Sequence, residues 1–462
     1  MTQTIAIIGG GMAGLSAAFY IQKWSEEKQL DVLPLVIEAT DHLGGKFDTL
    51  HRDGFVIERG PDSFLKRKTA AIDLAHDLGL AEQLVDNRTG KAYILYQGHL
   101  HLIPTGSVMG VPGDFVPLLE TNLLSNEGKA RVFEELLLPP MTPFDDQSVG
   151  DFFEQRVGRE LVERVIGPLL SGVYGGDLYH LSLESTLPQF KQMAMQHKSL
   201  LQAVHGLASG KKTSQFATLR DGLSTFCTQI AERLTNKPVI DTAIESIQSV
   251  DDRFVLNGDG CRFEADAVIL ATPLDAAQKL LPDFTALQAQ SAGDDSGMTT
   301  ISLAFDQAAV QLANEGTGFV ASDRGAGRLS AATWTHLKWP HTTPQGKALL
   351  RVFYGHYADW DPQQESDQAL TDKACRDLNA IEGITLSGAP DFSVITHMPH
   401  SMPQYAVGHN RWLCALEKER VQRFSRIHLA GMAYDGVGIP DVIRQGKQAA
   451  EAAVESLSAT II

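Results

Sequence analysis

The chain has 462 residues, more than one hydrophobic core ordinarily serves, so two or three domains are expected. Hydrophobic residues make up 43% and charged residues 21%, the balance of a globular rather than a disordered protein. A formal net charge of −17 argues against nucleic acid as a partner, because a phosphate backbone would be repelled, and leaves room only for a local basic pocket. Four scattered cysteines (Cys227, Cys261, Cys375, Cys414) form no Cys-x-x-Cys pair and read as reduced thiols, so no metal site is expected. No apolar run is long enough to span a bilayer, and the opening residues carry no basic n-region or cleavage site. A cytoplasmic location is expected, with peripheral contact to a membrane left open.

The first element is the apolar run "IAII", bounded by glycine as a buried parallel strand would be. Gly9, Gly11 and Gly14 then supply G-x-G-x-x-G: a tight turn, a close approach for a pyrophosphate, and close packing of helix on strand. "LSAAFYIQKW" continues as a helix whose positive end faces the phosphates. A second strand, "VLPLVIEA", carries Glu38 at 24 residues beyond Gly14, where a carboxylate accepts ribose hydroxyls and repels the extra phosphate of NADP. Strand, glycines, helix, strand and acid in this order predict a dinucleotide site, although the motif alone does not separate NAD from FAD.

Next come "DHLGGKFDTL" and "IERGPDSFLKRK". Gly44-Gly45-Lys46 sets flexible backbone and a cation beside the acid, useful for a phosphate contact. Lys66, Arg67 and Lys68 read equally as a solvated helix start or as cations aimed at an acidic ligand. Residues 64–220 are rich in helical periodicity. In "SVGDFFEQRVGRELVERVIG", Phe152, Phe153, Val157, Leu161, Val162, Val165 and Ile166 recur at three- and four-residue steps and predict core. At the far end, "IHLAG" is a strand closing at Gly431. Gly436-Val437-Gly438 makes a tight turn, and Pro440 suits the first turn of a helix running through "AAEAAVESL". His397, His400 and His409 match no common metal spacing.

The Gly-Gly-basic element, with "PVIDTAIESIQSV" and "ADAVILATP" further on, resembles the flavin amine oxidase and protoporphyrinogen oxidase superfamily. Lys46 stands where that group usually has arginine, keeping the charge but losing the planar fork. "PLLSGVYGGD", "SLESTLPQF", "QFATLRDGL", "TWTHLKWP", "SMPQYAVGH" and "GVGIPDVIRQGK" follow in order and are similar, nearly end to end, to the bacterial oxygen-dependent porphyrinogen oxidases of the Gram-positive type. One departure is Met398, where the family often has an aromatic.

The resemblance implies an α/β plus α architecture. A Rossmann-like FAD-binding domain would be discontinuous over 1–65, 215–290 and 410–462. An inserted α+β substrate-binding domain would take 66–90, 190–214 and 291–409, and a mainly helical domain of the membrane-associating type 91–189. It implies non-covalent FAD, since no cysteine lies beside "AGMAYDGVG". The cofactor residues would be Gly9, Gly11, Ala13, Gly14, Glu38, Ala39, Lys46, Gly60, Pro61, Asp62, Ser63, Ile244, Met398, Gly431, Val437, Gly438 and Ile439. Lys68, Val173 and, less directly, Arg67 would meet the substrate, while Arg220 reads equally as surface. The implied reaction is oxidation of coproporphyrinogen III, or its analogue protoporphyrinogen IX, with O2 reduced to H2O2, in haem biosynthesis. A ferrochelatase is the implied product acceptor. The rival readings are an amine oxidase on the same flavin fold and a non-catalytic binding protein that keeps the fold.

Overall fold

Gln3–Ile8 forms a parallel sheet with Val32–Ile37 on one side and Ala267–Leu270 on the other, and Ile427–Leu429 lies outside the latter. In the computed structural model this sheet organises the described residues, 2–208, 215–290, 296–322, 328–355 and 359–458. Both faces are covered, which is why its strands read as unbroken apolar runs. Ile5, Ile7 and Ile269 face the helices Met12–Lys28 and Ile439–Ser458, while Ala6, Ile8 and Leu270 face Phe254, Leu256 and Trp412. The two helices cross at Gly446, where a Cβ would lie 2.2 Å from the Ala13 carbonyl oxygen. First and last helix of the chain thus pack together on one face of this sheet.

A second, seven-stranded sheet runs in the order Phe392–Met402, Ser296–Asp306, Lys347–Gly355, Leu329–Trp334, Gly318–Ala321, Tyr93–Tyr96, His99–Leu102. Its last two strands correct the expected helical segment 91–189: residues 93–102 belong to this sheet, with Phe319–Ala321 pairing in parallel to Tyr93–Leu95. The physical reason is a hairpin signal hidden beside stronger helical periodicity. Gln97 and Gly98 both hold positive φ (51° and 79°), the two-residue turn whose twist suits a hairpin, between "YILY" and "HLHL".

The helical region has its own core. Phe152, Phe153 and Phe190 pack edge-to-face at 5.0 and 5.1 Å, and all seven periodic positions from Phe152 to Ile166 are buried. Inside this core the fully buried Glu135 accepts from Arg156 Nε (3.0 Å) and Nη2, from the Ser199 hydroxyl (2.5 Å) and from the Leu200 amide (2.8 Å) at the start of helix Leu200–Ala208. Among the described residues no helix is long and apolar enough to cross a membrane.

Glu135 satisfies a buried guanidinium and a helix terminus together, so removing it leaves an uncompensated buried charge. Glu135→Ala is expected to cost about 3–5 kcal/mol in denaturant unfolding, and Glu135→Gln less. Equal, near-zero losses for both would show that the pair is not desolvated in solution.

Candidate functional site

The site begins where backbone packs on backbone. Gly9 holds φ +108°, and a Cβ there would come within 2.6 Å of the Ala271 oxygen. A Cβ on Gly14 would lie 2.0 Å from the Gly9 oxygen. At Gly11, by contrast, a Cβ would meet no atom within 4 Å, so this residue borders open space. The helix from Met12 starts at Gly11 with no capping side chain and no acid in its first turn, leaving its amides and positive end available to an anion. Ala13 follows, 6% exposed. Tight packing at two glycines and an open face at the third suit the diphosphate of a dinucleotide.

Three remote segments meet at Glu38. Its carboxylate accepts from the Gly10 amide (2.6 Å) and from the Thr40 amide (2.9 Å) and hydroxyl (2.8 Å). Its own amide donates to Val239 O at 2.8 Å, and Thr242 N–H returns to Glu38 O at 2.9 Å. These bonds lay the start of the Ile244–Val250 strand beside the acid and the exposed Ala39. The Gly-Gly-Lys loop folds back onto the first turn, the Gly44 amide donating to Gly10 O at 2.9 Å. Exposed Lys46 reaches the C-terminal motif, its Nζ 3.7 Å from Met432 Sδ. Gly60 closes over this loop, for a Cβ there would lie 1.7 Å from Lys46 O.

Asp62 behaves differently from a cofactor ligand. Its carboxylate receives Lys338 Nζ (2.8 Å), Trp339 Nε1 (3.3 Å) and the Ser63 hydroxyl (2.7 Å), and Lys338 helps hold it well below the usual carboxylate range despite burial. Any part Pro61, Asp62 and Ser63 take in cofactor binding therefore falls to backbone and to what their side chains leave free.

The closing turn is held by residues outside the sequence-derived set. Gly431 and Gly436 both need positive φ (+143° and +101°). The Tyr405 hydroxyl donates to Met432 O (2.5 Å) and accepts from Gly436 N–H (2.9 Å), while Gln445 Oε1 accepts from Gly431 N–H (3.2 Å). Tyr405 was visible only as the last letter of "SMPQY". Asp441, in the first turn of the closing helix, packs under Gly436 and Gly438 and receives both bonds of Lys68 Nζ, at 2.8 and 2.6 Å. Val437 packs against the helical region, and Ile439 is buried at the head of the helix. Val173 is exposed, and its neighbour Tyr174 has its carbonyl bound by Gln404 Nε2 at 2.9 Å. Met398 pairs with Met298 in the seven-stranded sheet. Arg67 and Arg220 are both exposed. His397 Nδ1 lies 2.9 Å from the Thr299 hydroxyl, and His409 stacks on Tyr405 at 4.2 Å; the side chain of His400 lies outside the described residues.

Residues 12–454 match the flavin-containing amine oxidoreductase family. The chain belongs to that family. A coproporphyrinogen III oxidase of Bacillus subtilis is 39% identical, covering 98% of this chain and 98% of its own length. One from Staphylococcus aureus is 35% identical over 99% and 100%. A solved structure from Exiguobacterium sp. 255-15, designated a protoporphyrinogen oxidase, superposes with a TM-score of 0.88 at 35% identity, covering 99% of both chains. The protein is a flavin-dependent oxidoreductase and its cofactor is FAD.

Two expectations follow. Gly11→Val places its side chain in open space, so it should fold with an unchanged thermal midpoint and lose FAD affinity about a hundredfold or more, through lost charge-assisted bonds to phosphate. Gly14→Ala should fail to fold, and FAD retained by the valine variant after gel filtration would count against the seat. Separately, burial pushes the Glu58 carboxyl up to about 7 from an ordinary 4.5, outweighing bonds from Leu223 N–H and the Thr49 hydroxyl. A raised carboxyl favours the neutral acid in the fold, so its contribution is present below pH 4.5 and lost as pH rises through about 7. Glu58→Gln should flatten the pH dependence of the thermal midpoint across that window, and an unchanged slope would exclude Glu58 as its source.

Proposed function

We propose that this protein oxidises coproporphyrinogen III to coproporphyrin III, with protoporphyrinogen IX as a poorer analogue, in haem biosynthesis. The observation that supports it most is near-complete, two-way coverage by coproporphyrinogen III oxidases at up to 39% identity. Six electrons leave the macrocycle in three two-electron steps, each turning one O2 into H2O2. The chemistry supplied by bound FAD is acceptance of hydride from a methylene bridge and return of the electrons to oxygen.

The residues then have limited tasks. Gly9, Gly11, Gly14 and Lys46 hold the diphosphate, Glu38 the ribose, and the Val239–Ile244 segment the adenine side, without a covalent link. Gly60–Ser63, Met398 and the turn from Gly431 to Ile439 border the reacting end. Lys68 and Arg67 meet substrate propionates, the only formal charges on that macrocycle at neutral pH, and Val173 gives an apolar contact. No side chain need take the proton as a base, because the bridge cation is stabilised by its flanking pyrroles. Tyr174 fits that view: burial lifts its phenol to about 12, and its hydroxyl donates to Thr186 O at 3.1 Å. A cytoplasmic enzyme that delivers porphyrin to a ferrochelatase is the matching cellular setting, with peripheral membrane contact compatible.

The test supplies FAD-loaded protein, under air, with coproporphyrinogen III, protoporphyrinogen IX and an amine panel in parallel, following porphyrin fluorescence and peroxide. Faster turnover of coproporphyrinogen is expected. Preference for protoporphyrinogen would overturn the substrate, and oxidation of amines alone the reaction. In FAD-saturated enzyme, Lys68→Met should raise KM for coproporphyrinogen about tenfold, through one lost charge-assisted bond.

A further inference from the structure

One guanidinium among the described residues is buried without being well paired. Arg351 lies mid-strand in Lys347–Gly355, opposite Ser302 and Thr333, and is 5% exposed. Its Nη2 donates to Gly60 O at 2.8 Å, Arg59 O at 3.1 Å and the Thr300 hydroxyl at 3.3 Å. Its Nε has no hydrogen-bond partner among the described residues. Glu58, Asp62 and Arg351 line a common cavity of about 20 Å³, and burial depresses the Arg351 pKa even with both carboxylates nearby. A desolvated charge whose bonds are directed mostly at two carbonyls is a poor source of stability; an apolar residue of like volume would serve the core better.

Those two carbonyls point to another role. They belong to the turn after Phe55–Glu58, in which Gly60 presses on Lys46 O. Lys46 follows the glycines whose amide reaches Gly10. The contacts therefore run from the seven-stranded sheet through Arg351, Gly60 and the Gly-Gly-Lys loop to the first glycine turn. A second cation supports the same turn from the same side: Lys338, at the end of Thr335–Lys338, binds Asp62. Each comes from residues beyond the Rossmann-like sheet, and each grips a residue of "RGPD". Lysine could replace Arg351 only in part, because its flexible ammonium keeps the charge but lacks the rigid plane that aims Nη2 at the two carbonyls.

We propose that Arg351 is a positioning residue for FAD: it fixes the Arg59–Gly60 carbonyls so that the substrate-side sheet and the dinucleotide loop hold one relative placement. The inference rests on Gly60–Ser63 bordering the cofactor, and its readouts use no porphyrinogen, so it stands or falls apart from the substrate reading.

The experiment compares wild type with Arg351→Lys, Arg351→Met and, as a control for burial alone, Arg156→Lys in the helical core. Each protein is stripped of FAD and titrated with FAD by fluorescence. The visible spectrum and midpoint potential of the reloaded flavin are recorded, with thermal midpoints measured alongside. Arg351→Met should raise the FAD dissociation constant about tenfold to a hundredfold and shift the visible flavin band and potential. Arg351→Lys should fall between it and wild type. Arg156→Lys should lower the thermal midpoint while leaving affinity and spectrum as in wild type. If Arg351→Met does not fold, the lysine variant decides. Affinity within twofold of wild type with an unshifted spectrum overturns the proposal, whatever the thermal midpoint. Failure of both variants to fold also overturns it, by making Arg351 a folding residue.

Discussion

Bare backbone meeting bare backbone is the constraint on which the rest of this structure depends. Gly9 lies under Ala271, Gly14 under Gly9, Gly60 on Lys46 and Gly446 on Ala13, each at a distance that excludes even a methyl group. The contacts join segments from both ends and from the middle of the chain. A phosphate needs amides brought this close, and a close approach tolerates no side chain between. Four glycine contacts therefore dictate which distant segments share one domain, and everything inserted between them must leave the sheet and return.

Glycine turns gain their shape at the cost of rigidity, and the protein supplies rigidity from outside. The closing turn is fastened by Tyr405 at two atoms and by Gln445 at a third, and the "RGPD" turn by Arg351 and Lys338. Asp441 adds an electrostatic condition. An acid in the first turn of the closing helix is favourable to that helix but weakens the positive potential offered to a ligand. Lys68, bound to both its oxygens, offsets that charge. The same lysine is thus tied to the closing turn while remaining half exposed.

The unit that carries the glycine motif was legible as a piece of fold because its geometry is local. Gly9, Gly11, Gly14 and Glu38 sit in one strand–turn–helix–strand unit whose spacing is set by covalent geometry. The C-terminal turn could be read for the same reason. The fasteners could not, since Arg351 and Gly60 are 291 residues apart and Tyr405 and Met432 are 27 apart. One clue existed: a lone arginine in the apolar strand "KALLRVFYG", whose cost in a core asks for a partner. The hairpin at 93–102 was missed because two four-residue strands carry little periodicity beside long helices. Asp62 is the opposite case, a motif residue whose carboxylate is engaged by Lys338 and Trp339 rather than offered outward.

The groups packed around the closing turn also limit the chemistry they can perform. Burial raises the phenols of Tyr405 and Tyr434 far above neutrality, so both stay protonated; the Tyr405 hydroxyl fastens the turn, whereas that of Tyr434 has no hydrogen-bond partner among the described residues. Burial lowers His409, and brings His428 down to about 4, so both favour the neutral imidazole at neutral pH. Such a surround holds its charge constant from neutral pH upward through the mildly alkaline range. It neither adds nor removes protons while electrons pass, which suits a reaction whose protons can leave from the substrate's own pyrroles. What remains for the protein is to hold one carbon in place and to keep water out, and that task depends on the fasteners of the two turns rather than on any acid or base.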